Sequence, residues 1–387
     1  MLRRAIGRIS ISISNASNLN VTFSSGGKVV TWNPSLTSDK DPGQLKGVYH
    51  ANDCYAVPSQ CIAGYESSFA PGLLSQSGWA LLDDSLSARF VPTSEDPSPI
   101  PYWYANASAS SGPQADLYLF AGGLNYSKTL YEYSRVGGAI SLPPRSVYGV
   151  WWSHWQPFTQ ESFVDSILGG YANFSLPLDH AVLDVDWHTE DEGNASTPCY
   201  SYGGWTVNTA LWPQWESFLA ACHDGTNPTG YKLKVLLNLH PQGGFDACQK
   251  YWPAFSALTG YTNASRIMPC TFGIQKIAAA TFTAYMDYAE LSTVDGWWTD
   301  FDYQGDCFDA PSSTVRFSGY PGIAWNNEIF AGHNVVRGRR PLVLSRSGGI
   351  GDHRNPIRFT GDANQHREIL KWEMFATPAS ANALFNT

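Results

Sequence analysis

Over the first 143 residues, apolar and polar positions alternate with a period of two, in runs too short for helices. Ile9, Ile11 and Ile13 alternate with Ser10, Ser12 and Ser14, which places the isoleucines on one face of a strand. Similar runs predict strands over 19–24, 28–32, 78–82 and 116–120, divided by Gly, Pro and Ser clusters, with 94–99 and 107–112 as surface loops. Short strands with frequent turns predict a sandwich. After Leu142-Pro143-Pro144 the pattern changes. Short apolar runs at 148–152, 181–185, 234–239, 296–300, 341–345 and 357–360 now alternate with helical segments at 160–168, 213–223, 274–291, 326–337 and 365–375. Pro213 falls in a first helical turn, where its missing N–H costs little. Strand–helix alternation of this length predicts parallel strands joined by crossover helices.

The expected fold is therefore α/β: an N-terminal β-sandwich over 1–143, then an incomplete (β/α)8 TIM barrel over 144–387. Six strands are countable where a closed barrel has eight. A doubly wound open sheet is the competing architecture, but no Gly-rich phosphate loop follows Trp152.

The barrel strands share an unusual ending: an apolar run that stops at a charged or polar residue. Gly296-Trp297-Trp298-Thr299-Asp300 and Arg358-Phe359-Thr360-Gly361-Asp362 each end at an acid. A carboxylate there loses hydration, which is costly unless it is partnered or has a task. Two such carboxyls are the minimum equipment for splitting a glycosidic bond. Asp302 would share a face with Asp300, so either could be a nucleophilic carboxylate, and the strand-end position of Asp300 is one at which barrels often carry catalytic acids. Asp362 could instead cap a helix beginning near Asn364. In Ser345-Arg346-Ser347 an arginine ends another strand, and a guanidinium can hold a carboxylate by two hydrogen bonds. In Leu183-Asp184-Val185-Asp186-Trp187-His188, Asp184 could accept hydrogen bonds from sugar hydroxyls while Trp187 stacks on the ring. Asp184, Asp186 and His188 also permit a metal reading, weaker because oxygen-rich cation loops carry more acids. Asn238 and His240 add a polar pair at the next strand end, and His240 could equally be structural. Serine-hydrolase chemistry is disfavoured, because no Gly-x-Ser-x-Gly elbow occurs in a strand–turn–helix context.

Composition narrows the partners. The chain has 15 Trp, 20 Tyr and 19 Phe, enough to line a groove that stacks flat ligands such as sugar rings or bases. Bases are excluded by charge: the net is −9 and no basic run extends beyond Arg339-Arg340. No apolar run is long enough for a membrane span. Seven Asn-x-Ser/Thr acceptors, at Asn15, Asn20, Asn106, Asn125, Asn173, Asn194 and Asn263, point to a glycosylated, secreted or lumenal protein. The N-terminus nevertheless lacks the apolar core of a signal peptide. None of the seven cysteines shows zinc-type spacing, Cys54 and Cys61 suit a loop disulfide, and the odd count leaves at least one unpaired.

In this order the segments resemble glycoside hydrolase family 31, the α-glucosidase and α-xylosidase family, from about Gly72 to Asn382. The segment 72–84 is similar to the family's N-domain loop that leans over the active site, and 142–153 to the start of its barrel. Val182–His188, Lys234–Pro241, Trp297–Gly305, Arg340–Gly349 and Arg358–Asp362 resemble the ends of its strands two to six, with Phe301 standing where Trp is usual. The resemblance implies Asp300 as nucleophile and Asp362 as acid/base, with Arg346 near the cleavage subsite and Asp184 on the terminal sugar's hydroxyls. It also implies a retaining mechanism, carboxyls about 5–5.5 Å apart, and no metal or organic cofactor. The expected activity is exo-α-glycosidase on terminal non-reducing α-glucose, with α-xylosidase or α-galactosidase as alternatives and an inactive carbohydrate-binding fragment as the rival of another class. Trp298, Trp187 and His240 join Asp184 and Arg346 as expected substrate contacts. The match stops at Phe375–Asn382, the approach to a seventh strand, so the chain reads as a fragment of a longer enzyme.

Overall fold

The computed structural model describes residues 122–189, 204–240, 249–260, 279–300 (except 289), 323–346 and 352–359 (except 356). It also describes short segments before residue 121, residues 316–317 and 320–321, and a few single positions such as Phe245, Arg367, Leu370 and Met374.

The N-terminal strands are β1 (Arg8–Ile11), β2 (Val21–Ser25), β3 (Lys28–Trp32), β4 (Gln44–Tyr49), β5 (Phe69–Ser75), β6 (Ala80–Asp83), β7 (Arg89–Pro92), β8 (Tyr102–Ala105) and β9 (Ala115–Phe120). β1, β9 and β6 form an antiparallel sheet in that order, and β2–β3, β4–β5 and β7–β8 are antiparallel pairs. The alternation does not predict β4, β5, β7 or β8. Strand β5 shows why: Pro71 and Gly72 interrupt it, and its pairing with β4 is irregular there.

The β reading of 1–143 fails at α1 (Tyr126–Gly137). Asn125 caps this helix, its Oδ1 accepting from Lys128 N at 3.1 Å. Only Thr129 and Tyr133 are buried along α1, too thin a stripe to register as helical periodicity. Tyr133 packs with Leu73, Ala80 and Phe120, which joins α1 to the N-terminal strands.

The second unit is a five-stranded, all-parallel sheet: β10 (Trp151–Ser153), β11 (His180–Leu183), β12 (Lys234–Leu239), β13 (Gly296–Thr299) and β16 (Val343–Ser345). The small pair β14 (Arg316–Phe317) and β15 (Tyr320–Pro321) lies between the last two. The expected sixth strand is present as an extended segment that bridges Ser345 to Arg358, with Ser345 N donating to Ile357 O and Phe359 N to Ser345 O. Crossovers between the parallel strands are helical. The helix predicted at 160–168 runs on through a π-helical stretch (Phe163–Leu168) to Asn173. Trp215–Asp224 buries Trp215, Phe218, Leu219 and Cys222 at positions i, i+3, i+4 and i+7, and ends at Gly225 in the left-handed region. The unpaired Cys222 lies in this apolar stripe, and burial pushes its thiol up to about 12. The helix predicted over 274–291 ends at Met286; Leu291 and Val294 are buried in the turns that follow, so their apolar character reports burial and not helix.

Alternation along each strand separates two cores. Ala181, Leu183, Val235, Leu237, Trp297 and Val343 face the helices, together with Phe163, Phe218 and Phe330. Val182, Leu236, Trp298, Leu342 and Ile357 form a separate inner cluster, against which Trp151, Leu344 and Phe359 pack. The sheet curls as a partial barrel around this inner cluster, which runs from the first strand to the segment after the last. At its N-terminal end Asp295 accepts from His223 (2.7 Å), Lys234 (2.9 Å) and Val235 N (2.9 Å), which ties the start of β13 to β12 and to the helix before it.

Candidate active site

Four strand ends each deliver one polar side chain. Asp184 follows β11, His240 follows β12, Asp300 follows β13 and Arg346 follows β16. All four are in phase with the inner residues Val182, Leu236, Trp298 and Leu344, so the alternation that fills the barrel below also sets the chemistry at its mouth. This is the C-terminal end of the parallel sheet, the face on which (β/α)8 active sites are built.

Asp300 is the centre of the group. It is buried, at 3% exposure, and its carboxylate would be costly without compensation. Arg346, 2% exposed, supplies it by donating from Nε to Asp300 Oδ1 and from Nη2 to Oδ2, the latter at 3.1 Å. Asn238 Nδ2 donates to the same Oδ2 at 3.3 Å, and His240 Nε2 lies 3.6 Å from it. The main chain reinforces the arrangement: Asp300 N donates to Leu239 O and Arg346 N to Thr299 O. Phe359 completes the setting, with its ring 4.9 Å from the Arg346 guanidinium carbon and 4.7 Å, edge to face, from Trp298.

Asp184 is half-buried and accepts from Val185 N at 2.8 Å, capping the short turn Val185–Trp187. An open, shallow recess lies at this point, lined by Asp184, Asp186, Trp152, His154, Phe158 and Trp212 among others. Trp187 also lines the recess, but its ring is buried and its Nε1 donates to Asn238 O at 2.7 Å, which makes it part of the wall. Sequence spacing does not associate Trp152, Phe158 and Trp212 with Asp184, because Trp152 lies on β10, Phe158 in the loop after it and Trp212 in the connection between β11 and β12. Phe359 is equally hidden, and it shares the inner phase of Ile357, two residues before it.

Asp362 and Asp302 lie outside the described residues. The extended segment 357–359 runs beside Ser345, next to the strand that carries Arg346, and Asp362 follows it by three residues in the sequence. Among the described residues, no three His, Cys, Asp or Glu side chains converge closely enough to hold a metal ion. Among the described helices, none is long and apolar enough to cross a membrane.

Solved structures share this fold at low sequence identity. A family 31 α-xylosidase from a soil metagenome, solved with xylose, superposes with a TM-score of 0.54 at 14% identity, covering 80% of this chain and 44% of its own. The cycloalternan-forming enzyme of Listeria monocytogenes, solved with a pentasaccharide substrate, gives 0.60 at 13% identity, covering 88% and 34%. The cycloalternan-degrading enzyme of Trueperella pyogenes, in complex with isomaltose, gives 0.51 at 14% identity, covering 84% and 50%. The chain thus spans half or less of these neighbours' length. No curated protein matches it. The sequence model of the glycosyl hydrolases family 31 TIM-barrel domain matches residues 140–383, the whole of the parallel sheet and its crossovers. With the matched stretch taking in every residue of the Asp300 centre, the chain belongs to glycosyl hydrolase family 31.

Proposed function

We propose that the protein is a retaining exo-α-glycosidase that removes a terminal non-reducing sugar, α-glucose in the first instance. The observation that carries this reading is the buried Asp300 carboxylate, gripped at two points by Arg346 at the mouth of the parallel sheet. In the proposed reaction Asp300 attacks the anomeric carbon while Asp362 gives its proton to the departing glycosidic oxygen. Asp362 then takes a proton from water, which displaces the carboxylate and restores the original anomeric configuration. Arg346 and Asn238 fix the angle of attack by holding the carboxylate from the β16 and β12 sides. The recess beside Asp184 supports sugar binding, because it sets two carboxylates beside aromatic walls. Asp184 and Asp186 would accept from ring hydroxyls there, with Trp152 and Phe158 as apolar walls. Trp298 and His240 border the reacting centre from β13 and β12.

α-Xylosidase activity is the second reading, favoured by one neighbour that is an α-xylosidase solved with xylose. Glucose is preferred because another neighbour was solved with isomaltose. The N-terminal antiparallel strands are proposed to belong to a β-sandwich that flanks the barrel. A panel of aryl α-glucoside, α-xyloside and α-galactoside tests the reading. Turnover of the glucoside above the other two is expected, and loss of it in Asp300→Ala. Absence of turnover with all three would favour a carbohydrate-binding role.

A further inference from the structure

Directly behind the Asp300 centre, on the opposite face of the same strand ends, lies a chain of three buried polar side chains. Thr299 Oγ1 donates to Asn327 Oδ1 at 2.9 Å, and Asn327 Nδ2 donates to Ser345 Oγ at 3.0 Å. All three are completely buried. Thr299 and Ser345 are register partners on β13 and β16, and each immediately precedes a member of the Asp300–Arg346 pair. Asn327 reaches both from the helix Ile323–Val336, which packs behind these two strands. Ser345 also carries the main-chain bonds to the 357–359 segment that leads to Asp362. One side chain therefore clips together the two strand ends that present the carboxylate and its guanidinium.

Polar groups in an apolar helix-facing layer are an odd choice for stability alone. Leucine or valine would fill this space without the need for matched hydrogen bonds. What the hydrogen-bonded chain supplies is a fixed offset between neighbouring strands. Apolar packing is indifferent to small slides, whereas a donor–acceptor chain is not. A two-point Arg–carboxylate pair is sensitive to such slides, because both of its bonds must align together.

We propose that Asn327 is a positioning residue, which sets the alignment of Asp300 with Arg346 by clipping Thr299 to Ser345. The inference rests on the reading of Asp300 as the reacting carboxylate only for its kinetic consequence; the structural consequence stands without it. The first test is hydrogen–deuterium exchange on the full chain, comparing wild type with Asn327→Leu, Thr299→Val and Asn327→Asp. The amides to follow are Asp300 and Arg346, which bond to Leu239 O and Thr299 O, with Val235 and Leu237 as references. Asn327→Leu and Thr299→Val should speed exchange at Arg346 by about ten-fold or more and leave Leu237 unchanged. Asn327→Asp, which can still accept from both hydroxyls, should restore most of the protection. The kinetic companion is a kcat reduced about ten-fold at unchanged KM in Asn327→Leu, recovered in Asn327→Asp. Exchange that rises equally at all four amides, or at none, overturns the proposal. Should Asn327→Leu fail to fold, Thr299→Val carries the same comparison, since it removes one hydroxyl and preserves shape. If Asp300→Ala retains turnover while the exchange pattern is as expected, the catalytic assignment fails and the clip stands.

Discussion

Arg346 and Asp300 meet from adjacent parallel strand ends as a two-point ion pair, with side chains only 1% and 5% exposed. Removing either charge leaves the other stranded in a poorly solvated place. Arg346→Met should therefore destabilise the fold by about 3–5 kcal/mol, the usual cost of orphaning one partner of a buried pair. Replacing both, as in Arg346→Met with Asp300→Leu, should recover most of that loss. Urea denaturation of the two single variants and the double variant measures the coupling. Additive losses would mean that the pair contributes shape and no mutual charge compensation.

The two proposed carboxyl roles predict different failures. Asp300→Ala should lose turnover, and azide should rescue it partly by giving a glycosyl azide of inverted anomeric configuration. Asp362→Ala should retain far more activity on aryl glycosides with good leaving groups, because such groups depart without protonation. Product analysis by NMR with and without azide distinguishes the roles. An active Asp300→Ala beside a dead Asp302→Ala would move the nucleophile by two residues along the chain.

The strand ends were legible in the sequence because each apolar run stops abruptly at a polar residue. Lys234–Leu239 was expected and found with the same limits, and His240 and Asp300 follow their strands as the alternation requires. The five parallel strands were readable for the same reason, since burial on both faces leaves apolar stretches, whereas the crossover helix Trp252–Thr259 was not expected from the sequence. The back of the site was not readable. Asn327 lies in a helix with little amphipathic pattern, and nothing local distinguishes a buried, fully engaged Asn from a surface one. The recess was hidden because Trp152 on β10, Phe158 in the loop after it and Trp212 beyond β11 approach Asp184 from separate stretches of chain, a relationship that only tertiary packing creates. Helix α1 was missed because its buried stripe is two residues wide.

Gly296 opens β13 where an added methyl would collide with the Leu342 carbonyl and side chain. The carbonyl belongs to the neighbouring backbone and accepts from Trp297 N at 3.2 Å, so it cannot simply turn away. Gly296→Ala should push β13 from Leu342 and cost about 1–3 kcal/mol through overpacking. Gly296→Ser, with the same Cβ, should be at least as damaging. Thermal unfolding of both variants checks this, and an Ala variant as stable as wild type would show that the strands separate without penalty.

Two histidines, His180 and His353, should make stability depend on pH between about 4 and 6.5. Burial lowers each from the ordinary 6.5 to about 4, against the opposing charge of Asp179 at His180 and the hydrogen bond to Gly138 O at His353. His180 stacks on Trp151 at 3.8 Å and contacts Ser146 Oγ at 3.2 Å. His353 Nε2 donates to Gly138 O at 2.8 Å, which leaves Nδ1 as the neutral acceptor facing the Tyr133 hydroxyl at 3.4 Å. Between the two pKa values the unfolded chain binds protons that the folded chain refuses, so stability falls as the pH drops through this window and is flat above it. The loss should approach about 3 kcal/mol per histidine by pH 4. Asp295 acts in a separate window. Burial raises its carboxyl, but hydrogen bonds from His223 and Lys234 outweigh this and hold it below the ordinary range, so its contribution is lost only at lower pH. Urea midpoints for wild type, His180→Phe and His353→Gln at pH 7, 6, 5 and 4.5 separate the effects. Each variant should show a shallower decline than wild type, and His180→Phe can keep the stack on Trp151. Parallel declines in all three proteins would place the pH sensitivity elsewhere.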